Sequence, residues 1–264
     1  MDHKSADNPE SGEGRQYHLE TLPGDIAERC LLVGSPERAE LIATEFLKDA
    51  RKVGDHRGLK SFTGTFWDKP VSVVTTGMGS ASMAIVLPEA VKSGARCFIR
   101  VGSCGALDEI MDIGDAVICT GAVRYDGASE NWAPIEVPAL ATWHIVAALH
   151  ESAERLKHPH HIGLGATTTC FNEGQGRPDP LRGDRVPERM RRRHEEMVRC
   201  GVRFYSMEEA TLFIWCQAHG EIPCGAIDAV YANRVRGTFG TEGDRAAAEI
   251  ALRAFWRIPV DGRR

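Results

Sequence analysis

Cys97-Phe98-Ile99-Arg100-Val101-Gly102-Ser103-Cys104-Gly105 is the stretch on which the fold turns. Residues 98–101 form a short apolar run closed by a glycine, the pattern of a strand buried on both faces of a parallel sheet. Arg100 interrupts it. A guanidinium in such a strand needs an anionic partner, which is either a carboxylate of the protein or a bound anion, and the residues alone leave both open.

Outward from this strand the same unit recurs on both sides. Cys30–Val33 closes on Gly34 and predicts a strand, followed by a helix from Pro36 to Phe46 with proline at its favourable first position. Val71–Thr76 predicts a second buried strand leading through Gly77-Met78-Gly79-Ser80 into a helix that ends near Gly94. Pro88 falls inside that helix at a cost of about 3 kcal/mol, so the helix is expected to kink or to begin later. Downstream, strands are expected at Asp115–Thr120, Ile162–Thr168 and Cys224–Ala232. Helices are expected at Trp143–Leu156, Pro187–Cys200, Glu208–His219 and Asp244–Trp256. Strands alternating with helices give an α/β sheet with helices on its faces. Residues 1–16 are almost wholly polar, charged or glycine and read as a disordered tail, leaving one domain over residues 17–264.

Of the 264 residues 42% are hydrophobic, enough for one sizeable core. A net charge of −5 argues against a nucleic-acid binder and favours small-molecule partners. No apolar stretch reaches eighteen residues and no signal peptide opens the chain, so a soluble cytoplasmic protein away from membranes is expected. Eight cysteines without a CxxC pair read as buried free thiols. His158-Pro159-His160-His161 has no second group of ligands at suitable spacing, and a loop rather than a metal site is expected there. Arg189, Arg191, Arg192, Arg193 and His194 are interleaved with Glu188, Glu195 and Glu196, the pattern of a solvated, salt-bridged helix.

In α/β sheets ligands bind beyond the carboxyl ends of the strands. This chain places there Gly34 with Arg38, Gly77 with Gly79, and Arg100 with Gly102, Ser103, Cys104 and Gly105. Neither a dinucleotide fingerprint nor a P-loop is present. Arginines bind phosphate oxygens in a fork, and glycines let the backbone come close. Ser103 and Cys104 have no recognisable His–acid pair to activate them. Gln175 and Arg177, in Phe171-Asn172-Glu173-Gly174-Gln175-Gly176-Arg177, together offer the donors and the acceptor that match the carbonyl, N–H, carbonyl edge of a uracil-like ring. Ser206, followed three residues later by Glu209, predicts a capping box ahead of the helical run 210–215.

These segments, with Val123-Arg124-Tyr125-Asp126-Gly127-Ala128-Ser129 and Tyr205-Ser206-Met207-Glu208, occur in the order and spacing of the nucleoside phosphorylase-I family. From about Tyr17 to the last helix the chain resembles the uridine phosphorylase branch of that family. The resemblance implies a single domain built on a central mixed sheet, partly barrel-like and flanked by helices. It implies a pentosyltransferase that cleaves uridine with phosphate, reversibly, to uracil and ribose 1-phosphate, with no metal or organic cofactor. By resemblance, Gly34, Arg38, Arg100 and Ser103 bind phosphate and Arg57 is lent by a neighbouring protomer. Met207 and Glu208 bind ribose, with His18 crossing the dimer interface. Phe171, Gln175, Arg177 and, behind them, Arg234 hold the base. The family builds hexamers from dimers, so the minimal active unit is a dimer. Arg100, Glu208, Gln175 and Arg177 then carry the catalysis.

Two departures stand out. Ser206 replaces the first carboxylate of the family's Glu-Met-Glu, and Tyr231-Ala232 replaces two aliphatic residues beside the base. Tyr231 could narrow the pocket against thymine or hydrogen-bond a different base. A nucleosidase using water and a non-catalytic nucleoside binder are the alternatives. The retained Arg38, Arg57, Arg100 and Ser103 speak against the first, and the carboxylate missing at 206 keeps the second open.

Overall fold

The computed structural model describes residues 5–258. In chain order the elements are β1 (Arg29–Val33), α1 (Pro36–Glu45), β2 (Lys48–His56), β3 (Leu59–Phe66), β4 (Lys69–Thr75), α2 (Ser80–Ser93), β5 (Cys97–Ala106), β6 (Ala116–Tyr125) and β7 (Ala139–Leu140). They continue with α3 (Trp143–Leu156), β8 (His160–Thr168), α4 (Glu188–Arg199), β9 (Phe204–Ser206), α5 (Glu209–Ala218), β10 (Cys224–Asn233), β11 (Thr238–Phe239) and α6 (Asp244–Ala254).

The strands make one mixed sheet. Its open wing runs β2-β3-β4-β1-β5, with β4, β1 and β5 parallel and the β2–β3–β4 meander antiparallel. At β5 the sheet curls. That strand pairs with β10 in parallel and with β9 antiparallel, and β10, β6, β8 and β9 pair in turn, so these five strands close on themselves. The partly barrel-like mixed sheet is therefore present, with six α-helices around it among the described residues.

Side chains alternate across β5 and sort its residues between two cores. Phe98 packs with Leu32, Met83, Leu87 and Phe213 on the side of α2 and α5. Ile99 and Val101 pack with Ile42, Ile145, Ile250 and Phe255 on the side of α1, α3 and α6. The same parity puts Arg100 on the face that Phe98 shares with α5. Burial of each such large apolar side chain stabilises by about 1.5–3 kcal/mol.

Four local expectations change. The β5 strand continues past Gly102 to Ala106. The α2 helix begins at Ser80 and runs to Ser93 with Pro88 inside it, so of the two alternatives the later start is ruled out. The β2–β3 hairpin stands where no strand was expected; its two-residue turn, Arg57-Gly58, has φ of 54° and 79°, the conformation of the turn that matches strand twist. Most of the thiols are buried, but Cys170 and Cys200 are exposed. Of the expected tail, residues 1–4 lie outside the described residues. In the remainder Glu10 bridges Gln16, and its carboxylate sits 3.0 Å from Lys92. No helix among the described residues is long and apolar enough to cross a membrane.

Candidate active site

A cavity of about 740 Å³ opens at the carboxyl end of β5, within the size range of small-molecule sites. Gly34, Arg38, Arg100, Ser103, Phe171, Gln175, Arg177, Met207, Glu208, Tyr231 and Arg234 all line it, as do Ser206, Phe239 and Asp244. Of the site residues that the resemblance implies, His18 and Arg57 are absent from the wall. They lie together elsewhere, on either side of Tyr17. The ring of Tyr17 is 4.9 Å from that of His18 and 5.7 Å from the Arg57 guanidinium carbon. Glu89 holds the His18 ring at 2.7 Å, and Arg57 stands exposed at the tip of the β2–β3 hairpin.

Arg100 sits beside three carboxylates. Its Nη1 donates to Glu209 at 2.7 Å and to Asp228 at 2.6 Å, and its Nη2 donates to Glu208. The buried strand arginine thus has protein anions as partners. Its Nε–H is buried without a partner, an orphan donor on a residue that lines the cavity. Glycine at 102 makes the arrangement possible, because a side chain there would run into the Arg100 guanidinium and the Asp228 carboxylate. Glu208 also accepts from the backbone N–H of Gly79 at 2.5 Å, and Ser80 donates to the Met207 carbonyl at 2.8 Å. The Gly77–Ser80 turn therefore fixes the Met207-Glu208 pair.

The expected capping box does not form. Ser206 is the last residue of β9, and its buried hydroxyl has no partner. The α5 helix begins after Glu208 and is capped from another element, Thr167 Oγ1 of β8 accepting from Ala210 N–H at 2.9 Å. Glu209 folds back so that its carboxylate accepts from the Glu208 N–H at 3.3 Å.

Burial, then the neighbouring Asp228 and Glu208, drives the Glu209 carboxyl well above the usual carboxylate range, against the pull of Arg100. A carboxyl raised on folding contributes stability that is fully present below its unfolded pKa and is lost as pH rises toward the folded value. Glu209→Gln mimics the protonated form and does not titrate. Its stability relative to the parent should grow as pH rises from about 4.5, by at most about 1.4 kcal/mol per pH unit. Urea unfolding of both proteins at pH 5 and pH 8 measures this; parallel pH profiles would refute a protonated Glu209.

Asp244, first residue of α6, grips Arg38 with both oxygens at 3.0 Å. Tyr231 accepts from Arg38 at 3.0 Å and donates its one proton to Asp244 at 2.6 Å. Tyr231, expected beside the base, thus directs its hydroxyl to Arg38 and has no proton left for a base.

Gln175 and Arg177 come together. Arg177 lies over Phe171, with its guanidinium carbon 3.7 Å from the ring centre, and donates to Gln175 Oε1 at 2.5 Å. Gln175 Nε2 donates to Thr168 at 3.1 Å, and Arg234 donates to the Gln175 carbonyl at 3.0 Å. Each amide atom of Gln175 keeps one further donor or acceptor position. Burial and then the nearby Arg234 pull the Arg177 pKa down to about 10, so its charge is poorly compensated and favours an anion beside it. Gly105 of β5 lies beneath Arg177 and Arg234, while Arg100 lies five residues earlier on the same strand.

The phosphorylase superfamily model matches residues 28–258. The chain belongs to that family. Within the phosphorylase superfamily it is similar to a uridine phosphorylase of Thermococcus kodakarensis, 40% identical over 95% of this chain and 89% of the relative. It is also similar to the uridine phosphorylases of Klebsiella aerogenes, 37% identical over 83% of this chain and 87% of the relative, and of Escherichia coli, 35% identical over the same shares. The closed mixed sheet with flanking helices is consistent with the nucleoside phosphorylase-I fold.

Three acidic residues of this phosphorylase-superfamily site went unread in the sequence. Asp228 lies in the apolar run 224–232, and the reasoning that singles out Arg100 in its own strand would have found it. Asp244 looks like an ordinary first-turn acid, favoured by the helix dipole. Glu209 stands at capping-box spacing from Ser206, which masks its place beside Arg100.

Proposed function

We propose that this chain catalyses the reversible phosphorolysis of uridine to uracil and ribose 1-phosphate, with residues 17–264 as the catalytic domain. The carrying observation is one cavity that holds the Arg38 and Arg100 guanidiniums together with the stacked Gln175, Arg177 and Phe171 group. Anion-binding groups and a uracil-edge reader in one hollow suit a nucleoside and a phosphate bound at once.

In this reading phosphate binds at Gly34, Arg38, Arg100 and Ser103, with Arg57 supplied by a neighbouring protomer, and takes up the orphan Nε–H of Arg100. Glu208, aimed by Gly79, accepts from a ribose hydroxyl beside Met207, and His18 of the neighbour closes over the sugar. The glycosidic bond breaks with positive charge developing on the ribose and negative charge on the base. Phosphate and Glu208 face the first, and Gln175 and Arg177 face the second. Preorganised groups aimed at developing charge are usually the largest catalytic contribution. No metal or organic cofactor takes part, inorganic phosphate being a co-substrate, and the enzyme works in the cytoplasm.

Uracil release from uridine should require inorganic phosphate. Release without phosphate would identify a nucleosidase, and none under either condition a binding protein.

The His18–Tyr17–Arg57 patch lies outside the protomer's own cavity, which supports a dimer whose subunits complete one another's sites; the family resemblance extends this to a hexamer. Arg38→Ala and Arg57→Ala variants should each be nearly inactive. Coexpressed, they should recover about a quarter of parental activity, because random mixing leaves one intact site in each mixed pair. No recovery in mixed oligomers would place both residues in the same subunit's site.

A further inference from the structure

The histidine run 158–161 gains in space the second group of ligands it lacks in sequence. His160 opens β8 rather than lying in a loop. His150 and Glu154 stand four residues apart on α3, hence on one face of it. Nδ1 of His150 lies 2.8 Å from Nε2 of His160, and a Glu154 carboxylate oxygen lies 3.5 Å from that same nitrogen. One ligand atom from each of the three falls within 4.8 Å of the others.

We propose that His150, Glu154 and His160 form a binding site for a first-row divalent cation, best suited to zinc, that ties α3 to the start of β8. The orientation of His160 carries the argument. Its Nδ1 is 3.0 Å from the His158 carbonyl oxygen, which can only accept, so Nδ1 holds a proton and the ring, when neutral, presents its Nε2 lone pair to His150. A second hydrogen bond of this kind, to a backbone carbonyl, is what fixes the tautomer and direction of metal-binding histidines. The His160 side chain is only 9% exposed, whereas that of Glu154 is 64% exposed and free to turn inward.

The other candidates around it are occupied. His161 is held by Asp115 at 2.9 Å, and the His158 ring faces the Gly114 carbonyl at 3.2 Å. Glu151 is paired with both Arg155 and Arg257. Two imidazoles and one carboxylate match the donor set of a three-ligand zinc site with an open fourth position. Magnesium and calcium prefer all-oxygen sites, and among first-row ions zinc, copper and nickel rank above manganese and iron on such donors. Metal–nitrogen bonds of about 2.0–2.1 Å set tetrahedral nitrogens roughly 3.4 Å apart, so the exposed His150 ring has only to back away by a fraction of an ångström. No residue of this site lines the cavity. Its effect is on the fold: β8 also carries Thr167, which caps α5, and Thr168, which holds Gln175.

Zinc chloride titrated into EDTA-treated full-length protein should bind at one equivalent per chain and raise the melting temperature. Cobalt(II) chloride should give the intense visible bands of a tetrahedral N/O site. Loss of one ligand in His150→Asn or His160→Asn should weaken binding by at least about tenfold, while His161→Asn should bind as the parent does. His150 is on the surface, so its variant keeps the fold intact. Absence of heat and of thermal shift in the parent would overturn the site, as would unchanged binding in both ligand variants or loss of binding in His161→Asn.

Discussion

Replacing Arg100 by methionine is expected to slow phosphorolysis by about 10²–10³-fold or more and to destabilise the protein by about 3–5 kcal/mol at neutral pH. Among the described residues Arg100 is the cation that contacts Glu208, Glu209 and Asp228, all nearly or fully buried. Without it, those of the three that are charged in the parent are left as buried, unpaired anions, and taking up a proton relieves that cost. The folded variant then holds protons that its unfolded chain releases above about pH 4. The variant's stability must fall as pH rises through that window. Its deficit against the parent should therefore be smaller at pH 5 than at pH 7.5. Urea midpoints at the two values, with uracil release measured alongside, check both halves. A deficit independent of pH would mean that none of the three acids depends on Arg100 for its charge. Arg100→Lys should recover part of the stability but little of the rate, since an ammonium lacks the fork that reaches several acids at once.

Arg177→Leu is expected to cut kcat for uridine by about 10²–10³-fold while leaving the phosphate KM nearly unchanged. The side chain is held over Phe171 and tied to Gln175, so in the proposed reading it is already placed where a departing ring gathers charge. The expected loss belongs to the transition state, which predicts a fall in kcat rather than a rise in KM. 5-Fluorouridine provides the sharper comparison. Fluorine draws charge out of the ring and makes uracil a better leaving group, so the variant should lose markedly less activity on it. Equal losses on both nucleosides would mean that Arg177 merely positions the base.

Buried strands were legible because β1, β4, β5 and β10 are covered on both faces and read as apolar runs broken only by single residues such as Arg100 and Asp228. The β2 strand was not, since most of Lys48–His56 faces solvent and carries charge. The two-residue turn at Arg57-Gly58 was the signal available for that hairpin. At three residues, β9 is too short for any period to show, and Ser206 was consequently read as a helix cap when it ends a strand. The cavity was legible where a residue contradicted its surroundings, as Arg100 does, or where a motif stood apart, as Gln175 and Arg177 do. Asp244 contradicts nothing locally. Its pairing with Arg38 joins positions 206 residues apart, and only the packing of α6 against the sheet brings them together.

Gly102 contacts no substrate in this scheme and its backbone lies in an ordinary strand, yet its missing methyl is the space that Arg100 and Asp228 occupy. A saturation library at this position should tolerate no replacement, alanine included. To selection, hydrogen at that α-carbon is as indispensable as any reacting group, although no chemistry ever touches it.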